Sequence, residues 1–302
     1  MISVLIPVFN EQESIESTIR RAAEAIRSTG EEFEILVMDD GSTDRTKEIL
    51  RTVALPELRV LTNHFNRGYG TMMKMGIRHA RGTTIATTDA DGTYPIEDLP
   101  KLLSRMRETD ADMVVGARTK KGASIPLMRR PAKAVVSVLA NALAGFSIPD
   151  NNSGMRVFKR SLGEEFMHLY PRGFSFTLTI TLAALTSGYI VEYVPIDYFK
   201  RIGKSTMGGW NGLSNFINFL GLIIRIVTYF RPIRFFSWPG GLLLIAGFCM
   251  ILFTLFQDRN ISDAGLFVFL SGLQISLFGL LAEIIVRHRQ APAPQEKISK
   301  NT

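Results

Sequence analysis

Two aspartates one residue apart, Asp89 and Asp91, follow the apolar run 84–88 and precede Gly92. In a turn at a strand end both carboxylates can point to one side, where they repel unless a cation or hydrogen-bond donors lie between them. A hard divalent ion, Mg2+ or Mn2+, suits such a pair: it takes few protein oxygens and completes its shell with diphosphate oxygens. Alone, an Asp-x-Asp reads equally well as a solvated turn. Three further turns add chemistry. Pro7-Val8-Phe9-Asn10-Glu11 offers an amide and a carboxylate. Asp39-Asp40-Gly41-Ser42-Thr43-Asp44 offers carboxylates, a glycine for a sharp turn and hydroxyls for helix capping, and by itself is first a well-capped β–α turn. Asn66-Arg67-Gly68-Tyr69-Gly70 is a glycine-bearing helix entry without the full dinucleotide fingerprint. The single Cys249 excludes a disulfide framework or a Cys-based zinc site, and the four histidines lack ligand spacing.

Alternating runs position these turns. Strand-like segments at 2–7, 34–38, 58–62, 84–88 and 112–116 are separated by helix-like segments at 14–28, 43–53, 69–80 and 96–107. That order predicts an α/β domain with a mostly parallel sheet covered on both faces. Ligands of such sheets bind beyond the carboxyl ends of the strands, where all four turns fall.

Charge divides the chain. Residues 1–199 carry 24 basic and 24 acidic side chains, whereas residues 200–302 carry 11 and 4, so the whole excess of +7 lies in the last third. The same third holds two uncharged runs, 237–257 and 264–282, the second continuing apolar through 286 after Glu283. Twenty-one helical residues reach about 31 Å, enough to cross a bilayer core. Two transmembrane helices, 237–257 and 264–286, joined by the polar link 258–263 predict a membrane hairpin. Lys and Arg flank it on both outer sides, which places both flanks and the preceding domain in the cytoplasm at the cell (inner) membrane. With no signal sequence ahead of the first strand, the N-terminal domain is expected to be cytoplasmic. Residues 211–235 are expected to form an amphipathic helix lying in the interface; a core helix or a third span are the alternatives. The tail 291–302 is expected to be disordered. With the surplus charge explained by topology, no nucleic-acid partner is expected; a homo-oligomer is left open.

Together these residues resemble glycosyltransferase family 2, whose catalytic domain has the GT-A nucleotide-sugar fold. The resemblance extends through residues 150–158 (Asp150 to Phe158), 173–177 and 201–205, and the nearest subgroup is that of polyprenyl-phosphate glycosyltransferases similar to dolichol-phosphate mannosyltransferase, including bacterial relatives with a two-helix anchor. It implies a GT-A domain over 1–210, and a hairpin within 236–290. It implies that Pro7, Phe9, Glu11, Val37, Asp39, Asp89 and Ala90 line the nucleotide-sugar pocket. Asp91, with Asp89, would bind the metal, and Arg118, Arg201 and Lys204 would face the diphosphate. Two departures stand out. Thr93 occupies a position where relatives often have a Gln metal ligand, and Thr206 replaces a common Lys.

The chemistry that follows is transfer from a UDP- or GDP-linked sugar to polyprenyl phosphate, undecaprenyl or dolichyl. A lipid monophosphate is largely ionised at neutral pH and attacks without a dedicated base. Arg129 and Arg130, beside Arg118, are candidates to hold it, with Arg130, Asp91 and Asp150 as the candidate catalytic set; the two arginines are equally a basic helix start or an anionic-lipid contact. A glycan or glycolipid hydroxyl acceptor is the alternative and would need a base such as Asp150. A degenerate, non-enzymatic adaptor is the third reading.

Overall fold

The computed structural model describes residues 1–119, 148–150, 152–171, 173, 175–201, 221 and 232–290. Two compact units result, a sheet with its helices and a C-terminal helix pair. The expected interfacial helix at 211–235 (apart from 221 and its last residues), the basic pair Arg129 and Arg130, Lys204, and the tail 291–302 lie outside the described residues.

Seven strands form one mixed sheet in the order β3-β2-β1-β4-β6-β5-β7. They are β1 (Ile2–Val8), β2 (Phe33–Asp39), β3 (Leu58–Thr62), β4 (Thr84–Thr87), β5 (Met113–Ala117), β6 (Arg156–Lys159) and β7 (Val191–Pro195). All pairings are parallel except those of β6, which runs antiparallel between β4 and β5. The mostly parallel sheet is thus as expected, with β6 and β7 added and β1 continuing through Pro7 to Val8.

Burial on both faces explains the near-continuous apolar strands. Ile2, Val4, Ile6 and Val8 of β1 face one side, where they pack with α1 (Ile15–Arg27). The helix buries Ile15, Ile19, Ala22, Ala23 and Ile26, a stripe at 3.6-residue spacing. The opposite face carries α3 (Tyr69–His79), while α2 (Thr46–Thr52) follows β2. Gly76 lets α3 come close: a Cβ there would lie 3.0 Å from both Leu5 and Met38 side-chain atoms. The first of these faces is completed by α4 (Leu99–Glu108), which buries Leu99, Leu102, Leu103 and Met106. Short α5 (Arg160–Glu165) and the apolar α6 (Phe176–Thr186) complete the unit.

The second unit is the hairpin of α7 (Pro232–Asp258) and α8 (Asp263–Gln290). Its apolar stretches are Phe235–Gln257 and Asp263–Val286, long enough to span a bilayer. Glycines form the seam. A Cβ at Gly272 would lie 2.6 Å from Leu244 N, and one at Gly279 would lie 2.6 Å from Phe236 Cβ. Small residues let backbones approach where lipid offers no hydrophobic drive between helices. Glu283 of α8 accepts a hydrogen bond from Ile233 N at 3.4 Å, tying it to the first turn of α7. Large apolar side chains, among them Leu242, Phe253, Phe267 and Phe278, point outward.

Candidate active site

From β1 the chain moves outward through β2 and β3, then returns to β1's other side as β4. The crevice at the ends of β1 and β4 is therefore the topological switch point, the usual ligand seat of such sheets. Glu11 follows β1, Asp39 ends β2, and Asp89 and Asp91 follow β4.

The first two turns are stitched together. Asn10 takes a left-handed conformation, φ 57°, and its Oδ1 accepts Thr43 N at 2.8 Å. Ser42 Oγ accepts Asn10 N, and Thr46 Oγ1 accepts Glu11 N, both at 3.0 Å. The two adjacent aspartates divide their roles. Asp40 Oδ1 accepts Arg67 N at 2.8 Å and Oδ2 accepts Gly68 N at 2.7 Å, so Asp40 braces the 63–68 loop. Fully buried Asp39 accepts Ser42 N through Oδ1 at 3.0 Å, while its Oδ2 meets no donor among the described residues. A buried unpaired oxygen of this kind fits a donor from a ligand.

Glu11 and Asp91 both face one cation, Arg201, whose charge also reaches Asp89. Its guanidinium hydrogen-bonds Glu11 Oε1, and its Nε lies 3.7 Å from Asp91 Oδ2. Burial, with like charge from Asp91 and Asp89, pushes the Glu11 carboxyl up to about 7 against the pull of Arg201. Burial and the Asp91 charge likewise push Asp89 up to about 7, against Arg118, a Tyr69 hydrogen bond and Arg201. Such a site is short of positive charge.

Thr93 departs from expectation. It orients the aspartate: its N–H and hydroxyl donate to Asp91 Oδ1 at 3.1 and 2.6 Å. Among the described residues Asp91 Oδ2 has only the Arg201 ion pair and accepts no hydrogen bond, and Asp89 Oδ1 is buried without a partner. Two free carboxylate oxygens beside raised carboxyls fit a hard divalent cation, while no group of three metal-ligating side chains surrounds one point among the described residues. That donor set leaves most of the shell to a ligand's oxygens.

Arg118 and Asp150, expected as separate groups, are one ion pair. Arg118 Nε and Nη2 meet the two oxygens of Asp150 at 2.7 and 2.8 Å, and Arg118 N adds a bond at 3.0 Å. The Arg118 guanidinium also lies 5.0 Å from the Tyr198 ring centroid. Burial alone would raise the Asp150 carboxyl, but the Arg118 contacts carry it below the ordinary range. The side chains of Val37 and Ala90 are buried in the apolar core, which leaves their backbone as the part a nucleotide-sugar would touch. Pro7 pairs with Met38 inside the sheet, and Phe9 is half-buried at its end.

The sequence reading missed four residues here. Tyr69 hydrogen-bonds Asp89. Tyr94 Oη accepts Gly154 N at 2.7 Å. Gly154 lies so near Asp89 that a Cβ on it would stand 2.6 Å from Oδ2. Arg156 is wholly buried behind them. Tyr69 and Gly154 sit in segments already singled out, but their partners are far away in sequence.

Comparison with known proteins gives the same outline. Residues 3–166 match the model of glycosyl transferase family 2, and residues 231–287 match that of the GtrB C-terminal hairpin. The chain is 30% identical over 301 residues to the undecaprenyl-phosphate 4-deoxy-4-formamido-L-arabinose transferase of Edwardsiella ictaluri (strain 93-146), covering 95% of this chain and 89% of that protein. Among solved structures it resembles the glucosyl-3-phosphoglycerate synthase of Mycobacterium tuberculosis in complex with Mn2+, UDP and phosphoglyceric acid, with TM-score 0.58, 18% identity, and coverage of 75% of this chain and 78% of that one. It also resembles S. aureus TarS 1–349 in complex with UDP-GlcNAc, with TM-score 0.55, 19% identity, and coverage of 75% and 66%. At these identities the structures speak for the fold.

Proposed function

The chain belongs to glycosyl transferase family 2, and from that premise we propose that it moves a sugar from a nucleotide-diphosphate donor onto the phosphate of a polyprenyl lipid. The observation that carries this is the near end-to-end match to an undecaprenyl-phosphate sugar transferase, which takes in both the catalytic unit and the hairpin. Undecaprenyl phosphate is the acceptor favoured by that relative, and a UDP-sugar the donor favoured by the structural neighbours. The hairpin would tether the catalytic unit to the bilayer in which a lipid phosphate diffuses laterally. The Lys and Arg flanking it favour a catalytic unit on the cytoplasmic face.

The unpaired Asp39 oxygen accepts a donor from the base or ribose. Asp91, through Oδ2, and Asp89 would hold Mg2+ or Mn2+, which when bound neutralises charge developing on the departing diphosphate. Thr93 keeps Asp91 Oδ2 turned toward that position. Arg201 supplies a second positive charge to the diphosphate, joined by Lys204, and Arg129 with Arg130 holds the acceptor phosphate. The lipid phosphate oxygen attacks the anomeric carbon. The new C–O bond forms as the bond to the diphosphate breaks, the nucleoside diphosphate leaves with the electron pair, and the configuration inverts. No proton is removed from the acceptor, because a phosphate monoester with a second pKa of about 6 is already mostly dianionic. The hydroxyl-acceptor alternative loses its candidate base, since Asp150 is gripped on both oxygens by Arg118.

The test is incubation of detergent-solubilised protein with radiolabelled UDP- or GDP-sugars, Mg2+ and undecaprenyl phosphate. The expected result is label in the organic phase, with alkali-stable, acid-labile linkage. Absence of lipid-linked product with every common donor overturns the proposal.

A further inference from the structure

Arg156 is the largest wholly buried side chain among the described residues. Buried arginines ordinarily pair with carboxylates; here, among the described residues, the guanidinium meets only neutral oxygens and the Met113 sulfur. Nη1 donates to Thr177 O at 3.0 Å and Thr181 Oγ1 at 3.1 Å, Nη2 donates to Ser153 O, and Nε has no partner among the described residues. Burial depresses its pKa. An apolar side chain would fill this space without that cost, so a reason for the charge must lie in what it grips.

What it grips is one peptide group. The Ser153 carbonyl is held by Arg156, and the N–H of the same peptide, Gly154 N, is held by Tyr94 Oη at 2.7 Å. The next carbonyl, Gly154 O, accepts Thr87 Oγ1 at 2.6 Å. The peptide plane therefore cannot rotate. Its Cα stands against Asp89: a Cβ on Gly154 would lie 2.6 and 2.8 Å from the two carboxylate oxygens. On the other side Arg156 anchors to the first turns of α6, whose Thr177 hydroxyl also donates to Asn152 Oδ1 at 2.9 Å.

We propose that Arg156 is a positioning residue for Asp89: its guanidinium fixes the 153–154 peptide against α6, and that peptide forms the wall that sets where the Asp89 carboxylate points. The inference rests on the reading of Asp89 as a donor-site group. Arg156 touches no substrate and acts only through Gly154.

The probe is binding of UDP and GDP by titration calorimetry, each with and without Mn2+. Arg156→Met is expected to keep the metal-free nucleotide affinity and lose about tenfold of the Mn2+-dependent gain, with Arg156→Lys, which retains a donor toward Ser153, recovering part of it. Tyr94→Phe releases the other end of the same peptide. It should give the same signature, and the double variant should be no worse than either single one. Should Arg156→Met not fold, Thr181→Val and Tyr94→Phe carry the test alone, each reducing the Mn2+-dependent gain. A lowered melting temperature with the gain intact, or strictly additive losses, overturns the proposal. Asp89→Asn separates the two levels: if it keeps the gain, the reading of the site fails, whereas if it loses the gain while Arg156→Met keeps it, only the role of Arg156 fails. Wild-type protein that binds neither nucleotide overturns both.

Discussion

Arg201 Nε stands 3.7 Å from Asp91 Oδ2, the carboxylate oxygen that Thr93 leaves free. The guanidinium thus lies where a divalent ion would be drawn, and the two cations compete for one acidic pocket. Replacing Arg201 with Ala should tighten Mn2+ binding in the absence of nucleotide. The same change should weaken binding of the nucleotide diphosphate by about tenfold, the worth of one charge-assisted contact of roughly 1.4 kcal/mol. Mn2+ titration followed by electron paramagnetic resonance reads the first effect, and calorimetry with UDP the second. Both affinities falling together would show that Arg201 and the metal do not compete.

The Arg118–Asp150 pair is expected to behave as a structural clamp. Asp150→Asn leaves a buried guanidinium without its counter-charge, at a cost of about 3–5 kcal/mol. Arg118→Met with Asp150→Leu should lose less than the two single changes combined. Thermal melts measure both. Turnover per folded molecule in Asp150→Asn should stay within about tenfold of wild type, whereas a proton-abstracting carboxylate would lose about 10²–10⁴-fold.

Glu11 and Asp89 each titrate near 7 in the folded protein, against ordinary values of 4.5 and 3.8. The folded state therefore holds more protons than the unfolded state between about pH 4 and 7. Stability of the ligand-free protein contributed by these groups is present below that window and is lost as pH rises through it. The melting temperature should fall between pH 5 and pH 8, by on the order of 2–4 °C for each kcal/mol lost. Mn2+ needs the ionised carboxylates, so its affinity should rise over the same range. Asp89→Asn should flatten the first dependence, and an unchanged pH profile in that variant would contradict the assignment.

Cys249, exposed on α7, lies near the middle of the apolar stretch Phe235–Gln257. In native membranes it should resist a charged maleimide, and after denaturation in detergent it should react fully. Rapid labelling in intact membranes would exclude a spanning hairpin.

Much of this site was legible because its parts sit at the ends of apolar strands. The turns after β1, β2 and β4 announce themselves by carboxylates that follow such runs, and parallel topology brings those ends together. β6 was not legible. Arg-Val-Phe-Lys is four residues long, begins with a cation, and runs antiparallel in a sheet whose pattern is otherwise βα. Arg118 and Asp150 are 32 positions apart, so no local spacing reveals their bond. Thr93 misled for another reason. Judged as a replacement for a longer ligand it reads as a loss, but its hydroxyl, two residues from Asp91, is short enough to turn back on that carboxylate.

The insertion of β6 between β4 and β5 has a consequence for biogenesis. A chain emerging from the ribosome makes β1 to β5 first, yet the edges of β4 and β5 stay open until residues 156–159 arrive. Unpaired strand edges are templates for the wrong neighbour, so the nascent domain passes through a stage in which the centre of its sheet is exposed. The long, apolar α7 and α8 follow soon after in translation. Timing of membrane targeting therefore bears directly on yield: a ribosome already docked at the bilayer hands the hairpin to lipid, while a late one leaves two long apolar helices in water beside a newly closed sheet.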